Sequence, residues 1–186
     1  MRVTSLSFAL LLLGALPLTV RAEGDPRQAE IKTLAEESAT DFKAQNWSNV
    51  LDATHPKLLQ LSGGKAQSQK MIEVQMAQVA QAGMTLEKYQ IGEPGRVWTE
   101  SGWQYSFVPA MMVMKAPDRR VTVNSYLMAL KGPEDPRWYF LDGAMMTPEL
   151  LAMLVPELGD GKVALPPKQP PKVEQLGQPA APAPPQ

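Results

Sequence analysis

An α+β domain, in which helices come first and an antiparallel sheet follows, is the architecture this sequence predicts. Three observations carry it. Up to Gly83 the apolar residues recur at three- and four-residue spacing, and beyond Gly83 they alternate with a period of two. The links between the alternating runs are short, which makes an antiparallel meander, since parallel strands need long crossovers.

The first helix is expected over residues 26–45. Asp25 can cap its orphan amides, and Pro26 fits the first helical position because its missing N–H would be unpaired there anyway. Ile31, Leu34, Ala35, Ser38 and Phe42 then form one stripe, with charged residues opposite. Asn46 is a candidate cap for a short helix carrying Val50 and Leu51, which Pro56 ends or restarts. Leu58, Leu59 and Leu61 fit either another helical turn or a brief strand, and Gly63-Gly64 terminates it. Residues 65–81 read as a helix with Ile72, Met76, Val79 and Ala80 on one face, and Gly83 suits the left-handed residue beyond it.

Short strands are expected over residues 86–91 and 96–99, then two long ones over 103–114 and 120–130. A third follows over 137–142. In the first long strand Trp103, Tyr105, Phe107, Pro109, Met111 and Val113 share one face. Pro109 has no N–H for the ladder, so it belongs at a bulge or an unpaired position. Ala116-Pro117-Asp118 turns the chain between the long strands. Thr147-Pro148-Glu149 starts a last helix, whose face is Leu150, Leu151 and Leu154 and whose stop is Pro156. Residues 166–186 hold eight of the eighteen prolines. With so little apolar content they cannot offset their ordering entropy, so a disordered tail with polyproline character is expected.

The beginning of the chain carries an address. Arg2 precedes an apolar run over residues 6–20, which ends at Val20-Arg21-Ala22, a small-residue cut site. The run is shorter than the span of about 20 residues that a bilayer requires. A cleaved signal peptide over residues 1–22 is therefore expected, leaving a domain over 23–165 and export to the periplasm or medium. Cleavage would leave 16 basic and 19 acidic side chains. That mild balance argues against a nucleic-acid partner, which needs a clustered basic face. No basic amphipathic helix is present to seat on anionic lipid, and no membrane insertion is expected after cleavage. The chain has no cysteine, so the core must hold the fold without disulfides.

Several motifs in order carry a family likeness: His55-Pro56-Lys57-Leu58, Gly63-Gly64-Lys65 and Ser125-Tyr126-Leu127. To these are added Trp138-Tyr139-Phe140-Leu141-Asp142-Gly143, Val155-Pro156-Glu157-Leu158 and Leu165-Pro166. Over residues 27–166 the chain resembles the nuclear transport factor 2-like superfamily, which includes ketosteroid isomerase and polyketide cyclases. It looks closest to a bacterial branch with no assigned reaction. The resemblance implies a cone, in which a curved sheet wraps over a helix and leaves a pocket used for catalysis, binding or dimerisation. Such a fold does not choose among those uses.

The residues favour binding. The aromatic, Met-rich sheet supplies Trp103, Tyr105, Phe107, Tyr126 and Trp138 as candidates to line a pocket for an apolar small molecule or a protein partner. A homodimer through the sheet is the further alternative. For a cofactor-free isomerase, cyclase or dehydratase, the acid–base candidates are His55, Tyr126 and Asp142. His55 is the only histidine, and it stands at a helix junction where it can simply pack. Asp142 is expected to accept amides of the turn after its strand. Met111, Met112, Met114, Met128, Met145 and Met146 could present thioethers to Cu(I). With no histidine or cysteine beside them they read as core filling, and no metal or cofactor is expected. Asn46-Trp47-Ser48 matches a glycosylation sequon, meaningful only in a eukaryotic secretory pathway. Nucleotide-binding, zinc-protease and serine-hydrolase motifs are missing.

Overall fold

The computed structural model of the protein describes residues 25–159 and 161–177, so the expected signal segment and residues 178–186 lie outside the described residues. The architecture is α+β, with N-terminal helices, a curled antiparallel half-barrel and a short C-terminal helix. Four helices come first: α1 (Pro26–Lys43), α2 (Trp47–Asp52), α3 (Pro56–Leu61) and α4 (Lys65–Gln81). The strands are β1 (Thr85–Ile91), β2 (Trp98–Glu100), β3 (Trp103–Lys115), β4 (Arg119–Lys131) and β5 (Tyr139–Asp142). Helix α5 (Pro148–Leu154), a 3-10 turn (Pro156–Leu158) and β6 (Lys172–Gln175) follow.

Local signals account for most boundaries. Asp25 accepts from the Arg27 amide at 3.0 Å with Pro26 at the first helical position, and Thr147 caps α5 by accepting from the Leu150 amide at 3.1 Å. The Asn46 side chain makes no cap bond; its Nδ2 donates to Asp41 at 3.1 Å instead. Leu58, Leu59 and Leu61 are helical, which resolves the open choice at that segment. Gly63 and Gly64, at φ of 86° and 92°, reverse the chain into α4 through backbone that other residues rarely adopt.

The sheet runs β1-β3-β4-β5. β2 continues the β1 side of β3, and β6 pairs with β4 beyond the reach of β5. Pro109 shows how a proline is tolerated in the central strand. It stands opposite Tyr126, and its carbonyl accepts from Gly92 at 2.7 Å on the other side of the strand. In antiparallel backbone the N and O of one residue point the same way. The missing N–H therefore faces residues 92–97, where β1 has ended and β2 has not begun.

Strand alternation divides the interior into two cores. Ile31, Ala35 and Ala39 of α1 meet Val108, Ala110, Leu127, Ala129, Trp138 and Phe140 on one face of the sheet. The alanines present little bulk, so α1 lies close on the strands. On the opposite face Tyr105, Tyr126, Met128, Leu130 and Leu141 pack against Met146, Leu151, Leu154 and Leu158 of the C-terminal segment. Helix α3 reaches this second core through Leu58, because residues 53–54 run beside β5 and Ala53 accepts from the Phe140 amide at 2.7 Å.

The disordered tail expected from residue 166 onward needs correcting where it is described. Residues 172–175 form β6, in register from Arg119↔Gln175 to Thr122↔Lys172, and Leu176 N donates to Asp118 O at 2.7 Å. All four β6 side chains are exposed, so main-chain hydrogen bonds hold this strand, together with Arg120, which contacts Glu174 at 3.3 Å. A sequence argument based on side-chain burial does not register that kind of docking.

Candidate functional site

The five aromatic pocket candidates are not brought to one hollow. Trp103, Tyr105, Phe107 and Tyr126 belong to the core beneath α5. Trp138 belongs to the core beneath α1 and donates its indole N–H to Glu30 at 3.1 Å. Trp138 stands just before β5 and shares the α1 face with Phe140, two residues on, whereas Trp103, Tyr105 and Phe107 share the α5 face. Next to Trp138 the α1 face of the sheet is filled by α1 itself. Phe107 and Tyr126 line a cleft on the α5 face.

The acid–base candidates are also apart, and no hydrogen bond joins any two of His55, Tyr126 and Asp142 among the described residues. The Asp142 carboxylate is exposed and accepts the Ala144 amide at 2.8 Å, which is the turn role expected for it. The Tyr126 hydroxyl is buried without a partner on the α5 face, and desolvation, then the Asp142 charge, raise its pKa.

His55 precedes α3, is only 6 % exposed, and lies edge-on to Tyr139 at 5.8 Å and tilted over Trp103 at 6.1 Å. Its Nδ1 has no hydrogen-bond partner. Burial lowers its pKa from the ordinary 6.5; the Asp135 charge opposes that shift and the Lys57 charge adds to it. The folded state therefore resists a proton that the unfolded chain accepts. Stability from this group is complete above about pH 6.5 and is lost as pH falls toward the lowered folded value. One proton sets a limiting slope of about 1.4 kcal/mol per pH unit. We expect urea midpoints of the wild type to fall between pH 7 and pH 5.5, and those of His55→Phe to fall less. Parallel curves for the two proteins would remove His55 from this role.

The larger cleft, of about 570 Å³, opens between the end of α1, helix α4 and the start of β1. Its wall is aromatic at one side. Phe42 meets Trp47 edge-to-face at 5.3 Å and is backed by Tyr89 at 5.4 Å. Burial, then the Asp142 charge, push the Tyr89 phenol up to about 12, so it stays protonated at neutral pH. Across the cleft stand Met76, Val79 and Ala80 of α4, with Met84 and Leu86 at the base and Lys43, Glu73 and Glu87 at the rim. The cleft exists because α4 stands off the body. Ser68 is its only buried side chain, while Ile72, Met76 and Val79 are half-buried and Ala80 is exposed. Glu87 is already engaged by Arg120 through contacts of 2.7 and 2.8 Å.

Sequence reasoning did not select these residues. Phe42 is expected only as part of the stripe of the first helix, Met76, Val79 and Ala80 only as one face of the helix over 65–81, and Trp47 only through the sequon. The available signal was an α4 apolar face facing an aromatic pair five residues apart at the end of α1. Comparison of the chain with protein-family models, curated proteins and solved structures finds no match.

Proposed function

We propose that this chain is an exported binding module of nuclear transport factor 2-like shape, holding an apolar small molecule in the cleft between α1, α4 and β1. The observation that carries the reading is the cleft itself. It has the size of ordinary small-molecule sites, which run to about 300–1,000 Å³, and its lining is predominantly apolar with aromatic residues on one wall. The curled sheet beneath α1 and the order of the sequence motifs support the family reading, and the signal-like first 22 residues support export.

The rim charges are of both signs, and the acid Glu87 is tied to Arg120, so the cleft favours an uncharged ligand. The test uses the neutral fluorescent probe N-phenyl-1-naphthylamine with the wild type and Ala80→Trp. Residue 80 is exposed on a helix, so an indole there fills the cleft without disturbing the core. Saturable binding with quenching of Trp47 is expected for the wild type, and at least tenfold weaker binding for a variant whose circular dichroism is unchanged. Equal binding by the two proteins, or no saturation, would sink the reading.

A further inference from the structure

Two short strands share the outer edge of β4. β5 covers it from Leu127 to Leu130, and β6 covers it from Arg119 to Thr122. The Tyr126 carbonyl accepts from Gly143 on that edge, so the N–H and C=O groups of Asn124, Thr122 and Arg120 point the same way. Thr122 and Arg120 meet Lys172 and Glu174 of β6, whereas Asn124 comes opposite Pro170 when the register is continued. Proline has no N–H to give, and Pro170-Pro171 end the ladder. Beyond them a cleft of about 400 Å³ separates β4 from residues 166–169.

The two covers are held by different forces. Tyr139, Phe140 and Leu141 of β5 are buried, so β5 is fixed by side-chain packing. β6 buries none of its side chains and is secured by backbone hydrogen bonds and the exposed contact of Glu174 with Arg120 at 3.3 Å. Water replaces both when the strand lifts, so lifting costs little compared with opening the cores. The edge survives the loss. β4 stays paired with β3 from Arg120 to Lys131, and Glu87 keeps Arg120 in place through contacts of 2.7 and 2.8 Å. We propose that residues 166–176 are a removable strap, and that the edge beneath β6 is a strand-addition site for an extended segment with an acid opposite Arg120. β6 itself displays the match, since Val173 lies across from Val121 and Glu174 from Arg120. Such recognition takes affinity from main-chain bonds and selectivity from the side chains that meet. This site is separate from the α4 cleft and does not depend on how that cleft is used.

The experiment follows amide hydrogen exchange by NMR in the full chain. In the wild type the Arg120 and Thr122 amides are expected to exchange at least about tenfold faster than those of Met128 and Leu130, which face β5 on the same strand. Because the chain has no cysteine, Thr122→Cys with Lys172→Cys gives one disulfide clasp across a directly opposed pair. Oxidation should slow Arg120 exchange, and reduction should restore it. Glu174→Pro removes a ladder N–H and should release the edge, with the Met128 and Leu130 amides unchanged. A synthetic peptide with the sequence of residues 170–177 should then shift the Arg120 amide of that variant, but not that of the oxidised clasp. The same peptide with lysine in place of its glutamate should bind about threefold more weakly, as suits an exposed ion pair. Exchange of all four wild-type amides at one rate, or no slowing by the clasp, overturns the strap. No peptide shift at Arg120 in Glu174→Pro, or equal binding of the two peptides, overturns the strand-addition site.

Discussion

Trp138→Ala is expected to be among the most damaging single substitutions outside the glycines, at about 3–5 kcal/mol, the range for truncating a buried aromatic. Trp138 is 3 % exposed and packs in the core that Ile31, Ala35 and Ala39 bring to the sheet. Because those alanines hold α1 close to the strands, neither side can collapse readily into the space the indole leaves. The substitution also removes the indole hydrogen bond to Glu30 and the ring that the Lys131 ammonium approaches to 6.0 Å of its centre. Trp138→Phe separates the contributions, since it keeps a ring but loses the N–H donor to an exposed carboxylate, and should cost about 1–2 kcal/mol. Urea unfolding at constant m-value measures both. A loss under 1 kcal/mol for Trp138→Ala would mean that α1 does not press on the sheet as described.

Gly143→Ala should destabilise by about 1–3 kcal/mol although it adds a single methyl group, because the site is already full. The new Cβ would stand 2.6–2.7 Å from three ring carbons of Tyr126. Phe107 stands at the edge of that ring, and the Gly143 amide is bonded to the Tyr126 carbonyl at 2.8 Å, which holds the two residues together. The cause is spatial, since Gly143 is not among the residues with positive φ. A double-mutant cycle isolates it: in a Tyr126→Leu background the same alanine should cost distinctly less, with a coupling on the order of 1 kcal/mol. An additive cycle would place the strain somewhere other than the ring.

Much of the fold was legible in order along the chain. Asp25-Pro26 and Thr147-Pro148 opened helices where their cap chemistry required, and Gly63-Gly64 reversed the chain through left-handed backbone. The switch of period at Gly83 separated the helical half from the sheet. Strand alternation also correctly put Tyr105 and Phe107 on one face. Asp142 was readable as a turn acceptor because the Ala144 amide it accepts from is only two residues on.

What sequence alone determined about this protein is therefore local: element types, their ends, and which residues of one strand share a face. Those follow from φ/ψ preferences, caps and periodicity, all of which act within a few residues. Tertiary structure decided everything that depends on which elements meet. It set Trp138 on the opposite face from Trp103, Tyr105, Phe107 and Tyr126, and it kept His55, Tyr126 and Asp142 out of hydrogen-bond contact. It also held α4 off the body, opening a cleft beside Phe42 and Trp47, and drew residues 172–175 onto β4. The last case shows the reason most plainly. Backbone N–H and C=O groups are nearly the same in every residue, so a strand secured through them leaves little trace in side-chain pattern. Where a cleft opens depends likewise on the distance between packed elements, which no single segment encodes.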